Sequence, residues 1–459
     1  MPAETCQNLV IGSGVAGKIV SWSLGKMGQK TIVVERSMIG GACPNVACLP
    51  SKNVVYSAKA VSLVDPKRGL GVVTGTISVD MPAVIRRKRQ MVEGLVKMHL
   101  DNFVASGVEI VMGEARFIAP KTVDVKLNAG GTRRISGERV FLDVGTRATI
   151  PDAPGLAAAA PMTHVELLNL ERVPAHLVII GGGYVGLEFA QAMRRFGSQV
   201  TVIQHGTHLL PEEDPDMSEA LLELMKDEGV EVLLDAEVLN VAGRSGTGVA
   251  LQVRVGATQR ALDASDILVA AGRTPNTDTL DAAKGNVRLD SQGYIQVNER
   301  LQTSAPDVWA MGECAGSPKF THVGEDDCFI VLNNLAGGNR TTRDRLIPYC
   351  LFTDPELAHV GLHETEAKAR GVSYRLLKLP MAAILRTHTL SQKRGFCKAL
   401  IGQDDRILGF TAFGAEASEM MGIVQTAMIG GMPHAALRDA IFTHPTVAEG
   451  LKSLFAISG

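Results

Sequence analysis

Leu9-Val10-Ile11-Gly12-Ser13-Gly14-Val15-Ala16-Gly17 reads as a short apolar strand running into a glycine turn, and Leu177-Val178-Ile179-Ile180-Gly181-Gly182-Gly183-Tyr184-Val185-Gly186 repeats the pattern. A helical stretch follows each copy, Lys18 to Leu24 in the first and a run through Arg195 in the second. A second strand then closes each unit, at Thr31 to Glu35 and at Gln199 to Gln204. Glu35 and Gln204 both lie 18 residues beyond the last glycine of their own motif, so the two stretches read as copies of one design.

The three glycines of such a turn have separate tasks. The first (Gly12, Gly181) permits the tight strand-to-helix turn, and the second (Gly14, Gly183) lets backbone approach a pyrophosphate. The third (Gly17, Gly186) lets helix and strand pack closely. The phosphate charge then sits at the positive end of the helix. One such motif is weak evidence, because glycine turns are common between strands and helices; two in the same context point to two dinucleotide folds. Glu35 ends its strand where a carboxylate can accept from a ribose hydroxyl, as for FAD or NAD, although a solvated strand-end acid is the alternative. At the matching place in the second copy stand Gln204 and His205, neither an acid nor an arginine, which leaves the choice of nucleotide open.

At 459 residues the chain is long enough for about three domains. Lys and Arg total 46 against 48 Asp and Glu, so no basic surface suggests nucleic acid or an anionic membrane as partner. The most apolar stretch, Leu177 to Ala190, is broken by three consecutive glycines and carries Glu188, which leaves it too short and too polar to span a bilayer. The start, MPAETCQNLV, lacks a basic region followed by a long apolar core, and seven cysteines are too few for a disulfide scaffold. The expectation is a cytoplasmic protein.

The segment Gly40-Gly41-Ala42-Cys43-Pro44-Asn45-Val46-Ala47-Cys48-Leu49-Pro50-Ser51-Lys52 carries the chemistry. Five positions in a regular helix leave two side chains about 140° apart with Cα atoms about 7.5 Å apart. A disulfide needs Cα atoms within roughly 7 Å, so a bridged Cys43/Cys48 pair requires a bent segment, which the glycines and Pro44 permit. Zinc would want further Cys or His ligands at short spacing, and none is nearby. In a reducing compartment a close pair is more often catalytic than structural, the plain alternative being two unrelated small core residues.

Taken together these residues resemble the flavin-dependent pyridine nucleotide disulfide oxidoreductases, the family of lipoamide dehydrogenase, glutathione reductase and mercuric reductase. The cysteine segment is similar to that family's GGTCxNxGCxPSK block, with Ala42 for threonine and Ala47 for glycine. The resemblance extends to Ala271-Gly272-Arg273-Thr274-Pro275-Asn276, Trp309-Ala310-Met311-Gly312-Glu313 and His444-Pro445-Thr446-Val447-Ala448-Glu449. Runs such as Phe320-Thr321-His322 and Ile441-Phe442-Thr443-His444-Pro445 are nearest the bacterial reactive-chlorine-resistance and mercuric-reductase-like subgroup.

The resemblance implies an α/β chain with two Rossmann-like dinucleotide-binding domains and a C-terminal α+β interface domain that makes a homodimer. It implies an FAD domain at 1–150 with a return at 276–344, an NAD(P) domain at 151–275 and the interface domain at 345–459. Within the last, Arg375 to Leu379, Gly395 to Ile401 and Ile407 to Phe413 read as a three-strand antiparallel meander, and Glu419 to Ile429 as a helix. The implied function is that of an enzyme passing electrons from NAD(P)H through FAD to a Cys43/Cys48 disulfide and on to a small-molecule oxidant.

By the same resemblance Cys48 faces the flavin and Cys43 attacks substrate. His444 serves as base and acid, held by Glu449, and Lys52 lies against the flavin ring paired with Glu188. FAD contacts are implied at Gly12, Gly14, Gly17, Glu35 and Gly41, and further at Lys52, Gly145, Gly312 and Glu313. Nucleotide contacts are implied at Gly181, Gly183, Gly186, Gln204 and His205, at Gly272 and Arg273, and at Tyr184, which covers the flavin until nicotinamide displaces it. No metal ligands are implied.

Departures from the family pattern qualify these expectations. Glu313 stands for a family aspartate, and the ending Phe455-Ala456-Ile457-Ser458-Gly459 lacks paired cysteines, which disfavours mercuric ion reduction. The stretch Asn53 to Ala58 offers no arginine to clamp glutathione carboxylates. A small disulfide is the leading oxidant, with a metal ion (mercury or copper) or a non-turnover redox sensor as alternatives. Because Gln204 removes an acid that would repel a 2′-phosphate, NADPH is expected to be accepted and modestly preferred.

Overall fold

The structure is a computed structural model that describes residues 2–457; Met1, Ser458 and Gly459, and with them the last two residues of the ending quoted above, lie outside the described residues. Contacts divide the chain into two compact units. One comprises residues 1–53, 83–149 and 272–345, the other residues 54–82, 150–271 and 346–459. The sequence boundaries lie at 150, 275 and 344; residues 54–82 and 272–275, with the single residues 150 and 345, fall on the other side of this division.

In the first unit Glu4–Ile11 runs parallel between Thr31–Glu35 and Thr132–Leu142, and Val308–Ala310 lies parallel on the far side of Thr132–Leu142. Glu109–Ala119 joins Thr31–Glu35 in parallel, and Thr122–Leu127 links it to Thr132–Leu142 by antiparallel pairing. Leu9, Val10, Ile32, Val33, Val140 and Phe141 are fully buried, which is why these strands read as continuous apolar runs and not as alternating ones. Phe141 stacks on Trp309 at 5.3 Å between ring centres. Each such side chain contributes roughly 1.5–3 kcal/mol by leaving water.

The second unit repeats the plan. His176–Ile180 lies parallel between Asp266–Val269 and Gln199–Ile203, with Glu231–Leu233 beyond, and an antiparallel trio of Ala236–Arg244, Gly248–Val255 and Thr258–Ala264 follows. The expected meander is present as Arg375–Pro380, Phe396–Ile401 and Ile407–Gly414, backed by the helix Ala417–Ile429. It belongs to a five-stranded sheet, because Glu356–Gly361 and Tyr349–Leu351 extend it. Those two short strands escape the sequence reading because Pro355 and His359 interrupt the apolar pattern; His359 is nevertheless buried, with Thr411 as partner.

The two glycine turns superimpose contact for contact. Gly12 N–H donates to Val34 O and Gly181 N–H to Ile203 O, each at 2.8 Å. Asp143 N–H donates to Ile11 O and Ala270 N–H to Ile180 O, again at 2.8 Å. A Cβ on Gly17 would lie 2.1 Å from Gly12 O, and one on Gly186 would lie 2.0 Å from Gly181 O, so neither third glycine can carry a side chain. The helices begin at once after the turns, as Val15–Lys26 and Tyr184–Arg195. The first starts three residues ahead of the expected Lys18, because Val15, Ala16 and Gly17 form its first turn.

Candidate active site

Cys43 and Cys48 sit on two helical pieces. Ala42–Asn45 ends at Val46, whose φ of -141° leaves the helical region, and Cys48–Leu63 then begins afresh. This break lets the two thiols interact, as side chains about 140° apart on an unbroken helix could not. Gly41 adopts φ 75°, and a Cβ there would come within 2.6 Å of Gly14 Cα, so the cysteine segment packs directly on the first glycine turn.

The thiols are free and unequal. The hydrogen bond from Cys43 holds the Cys48 thiol well below its ordinary pKa against the opposing effect of burial, and Thr321 and the Lys52 ammonium add to the lowering. The same bond, with burial, pushes Cys43 up. Of the two, Cys48 is the thiol whose ionisation is favoured. Thr321 Oγ1 lies 3.2 Å from Cys48 Sγ. The sequence reading quotes Thr321 without giving it a role, and no local pattern ties a hydroxyl 273 residues away to this thiol.

His444 and Glu449 come together as expected: His444 Nδ1 lies 2.9 Å from Glu449 Oε2, and the imidazole is 64% exposed. Glu449 N–H donates to Thr446 Oγ1, which fixes the acid at the start of the helix Gly450–Phe455. Lys52 lies one turn beyond Cys48. Glu188 is buried in the second glycine helix and accepts the Phe352 N–H at 3.0 Å.

Neither glycine helix has a side-chain cap, since the capping residues are Gly14 and Gly183, and a Cβ at Gly183 or Gly145 would meet nothing within 4 Å. The second start is open, whereas a Cβ on Gly14 would lie 2.5 Å from the Asp143 carboxylate, which accepts Gly17 N–H; both starts are positively poled, as a dinucleotide phosphate requires. Glu35 is more committed than expected: Oε2 accepts Ser13 N–H and Oγ–H, and Oε1 accepts the amides of Ser37 and Met38. A ribose hydroxyl would have to displace Ser13 Oγ. Gln204 occupies the same position in the second copy, its Oε1 accepting Gly182 N–H at 2.9 Å, with exposed His205 beside it. Glu313 accepts from Thr146 Oγ1, and Gly312 N–H donates to Asp327. Gly272 and Arg273 belong to the first unit and not to the one that carries the second turn, because Arg273–Pro275 pairs with Thr146–Ala148. The Arg273 guanidinium donates to Thr146 Oγ1 and O, 3.7 Å from Glu313.

Residues 7–327 match the family model for pyridine nucleotide-disulphide oxidoreductases, and residues 347–455 match that family's dimerisation domain. The chain belongs to the pyridine nucleotide-disulphide oxidoreductases. It is 34% identical to the probable pyridine nucleotide-disulfide oxidoreductase RclA of Escherichia coli K12, over 98% of this chain and 99% of that one. It is 31% identical to dihydrolipoamide dehydrogenase of Chaetomium thermophilum, over 97% and 89%. The solved Cu(II) complex of HOCl-induced flavoprotein disulfide reductase RclA from E. coli matches with a TM-score of 0.89 at 33% identity, covering 99% of both chains.

The enzyme is therefore an FAD-dependent NAD(P)H disulfide oxidoreductase with the expected α/β fold and a dimerisation domain. Among the described residues no helix is long and apolar enough to cross a membrane.

Proposed function

We propose that this chain is a cytoplasmic homodimeric enzyme that reduces a small disulfide, with balance NAD(P)H + H⁺ + RSSR → NAD(P)⁺ + 2 RSH. Bound FAD supplies two-electron chemistry between the nicotinamide and the cysteine pair. Gly12, Gly14, Gly17 and Gly41 hold it, with Glu35, Gly145, Gly312 and Glu313 around it, and Gly181, Gly183 and Gly186 hold the nicotinamide nucleotide beside Tyr184.

The observation that carries this reading is the cysteine pair itself, set on two helical pieces by the break at Val46, with Thr321 Oγ1 3.2 Å from Cys48 Sγ. The Cys43 thiol pKa is raised and that of Cys48 lowered, so Cys43 needs a base before it attacks. The partner subunit's His444 removes the Cys43 proton, and Cys43 Sγ attacks one substrate sulfur. A mixed disulfide forms, and the leaving thiolate takes the proton from the imidazolium. Cys48 Sγ then attacks Cys43 Sγ, which closes the Cys43–Cys48 disulfide and expels the second product as a thiolate; it takes up the solvent proton that appears as H⁺ in the balance. Glu449 keeps the imidazole in one orientation throughout. The exposure of His444 in the single chain supports a base that serves another subunit.

A metal-ion acceptor has one observation in its favour, the Cu(II) complex of the similar RclA structure. The test is a steady-state screen of NAD(P)H oxidation against lipoamide, other small disulfides, Cu(II) and Hg(II), each with Cys43→Ser and Cys48→Ser as controls. Turnover with a disulfide that both substitutions abolish supports the reading. Turnover confined to metal ions, or unaffected by either substitution, refutes it.

A further inference from the structure

The second glycine turn is backed by a buried polar chain that the reaction above does not use. Tyr184, the first residue after Gly183, donates its hydroxyl to Glu213 Oε1 at 3.0 Å. Tyr349 donates to the same oxygen at 2.8 Å, and the two rings meet edge to face with centres 5.9 Å apart. Because Tyr349 spends its proton on Glu213, the contact of 2.7 Å between Tyr349 Oη and His363 Nε2 requires that His363 donate. His363 stacks flat on His359 at 3.6 Å, and His359 is pinned by Thr411 Oγ1 and Gly361 O.

Glu213 itself has no freedom to follow the tyrosine. Its side chain is fully buried, and the next residue, Asp214, accepts the amides of Glu364 and Thr365 at 3.0 and 2.9 Å. Asp214 also binds the buried Lys398 ammonium at 2.8 Å, beside Asp216 and Glu364. Burial raises the Glu213 carboxyl pKa, so the group gains from every donor it keeps.

We propose that Glu213 is a positioning residue for the Tyr184 lid: it latches the tyrosine hydroxyl, and a nucleotide that displaces the tyrosine must break this bond. The proposal rests on the reading of Tyr184 as a lid. The second donor on the same oxygen, Tyr349, remains when the lid moves, so the carboxyl group is never stripped of both partners. A single buried hydrogen bond of this kind changes an equilibrium on the order of three- to tenfold.

The test is an equilibrium titration of the FAD-loaded enzyme with the oxidised nucleotides NADP⁺ and NAD⁺, joined to rapid-mixing measurement of the two half-reactions. Tyr184→Phe and Glu213→Ala should each tighten nucleotide binding by about three- to tenfold, and the double variant should do no more than either alone. Glu213→Gln keeps the accepting oxygen and should stay close to wild type. Oxidation of the reduced enzyme by the disulfide acceptor should be unchanged in Glu213→Ala and Glu213→Gln. Should Glu213→Ala fail to retain FAD, Glu213→Asp withdraws the carboxyl by one methylene and should show the same tightening. The latch is overturned if the Glu213 variants bind nucleotide as wild type does while Tyr184→Phe binds more tightly. Additive effects in the double variant, or equal changes in both half-reactions, also overturn it. A different result removes the lid reading itself: Tyr184→Ala leaving both nucleotide binding and flavin reduction unaltered.

Discussion

Replacing Lys398 by methionine removes a buried cation and leaves a stem of similar length. The ammonium lies 2.8 Å from Asp214, 2.7 Å from Asp216 and 2.8 Å from Glu364, with no side-chain exposure of its own. The ligand oxygens of the three acids all lie within 4.8 Å of one another. At that separation two unit charges repel by about 3.5 kcal/mol with an effective dielectric near 20. Lys378 still reaches Asp216, so the loss falls mainly on Asp214 and Glu364. Removing one partner of a buried pair costs about 3–5 kcal/mol, which for a 459-residue chain corresponds to a fall in Tm of about 3–5 °C.

The pH dependence follows from Asp214. Burial disfavours its charge, but the bonds from His363, Lys398 and the Thr365 and Glu364 amides outweigh this and hold its pKa below the ordinary value. A depressed carboxylate contributes stability that is present above the unfolded pKa near 4 and lost as pH falls through the folded one. Lys398→Met gives up much of that contribution. The gap from wild type should be full at pH 7 and narrow as the pH drops below about 4, read by circular dichroism during thermal unfolding. Equal stability at pH 7, or a gap that widens on acidification, refutes the reasoning.

Four further outcomes are expected. Gly17→Ala should abolish FAD retention and Gly186→Ala nucleotide binding, measured by flavin content and by titration, since each Cβ would land about 2 Å from a carbonyl oxygen; full occupancy in either variant contradicts the turn geometry. In the dithiol enzyme, ultraviolet thiolate absorbance should persist at neutral pH and disappear on acidification, because the Cys48 pKa is lowered; Cys48→Ser should remove it and Cys43→Ser preserve it, and the reverse pattern exchanges the two roles. Mixing Cys43→Ser subunits with His444→Ala subunits should restore roughly a quarter of wild-type activity, since about half the reassociated dimers are mixed and each has one complete site; no recovery after verified exchange defeats the shared site. NADPH should give a modestly higher kcat/KM than NADH, and Gln204→Glu should move the ratio toward NADH; a clear wild-type preference for NADH is the contrary result.

Much of the fold is legible because its deciding signals are local. Leu9 to Gly17 and Leu177 to Gly186 carry strand, turn and helix start within ten residues, and the structure reproduces both down to matching amide–carbonyl contacts. The bend between Cys43 and Cys48 is equally readable, since helical geometry forbids their contact and the segment contains the residues that break it. What stays hidden depends on distant partners. Glu35 looks like a free acceptor at a strand end, yet four donors from residues 13, 37 and 38 already engage it. Glu213 reads as one acid in the run Glu212-Glu213-Asp214, and only folding brings Tyr184 and Tyr349 to it from 29 and 136 residues away. Lys398 falls in a strand that reads as apolar, and three acids from other elements allow its burial.

The shared geometry of the two turns separates what can drift from what cannot. Glu35 and Gln204 receive the same kind of backbone amide, from Ser13 and Gly182, each at 2.9 Å. Codons for glutamate and glutamine differ by one base, and either side chain accepts that amide. A single nucleotide change can therefore exchange a negative charge for a neutral amide at this position while the turn beneath it stays intact. The first and third glycines tolerate no such exchange, because any added carbon strikes backbone. After a duplication, the two halves of this chain could specialise for different dinucleotides in small heritable steps without passing through an unfolded ancestor.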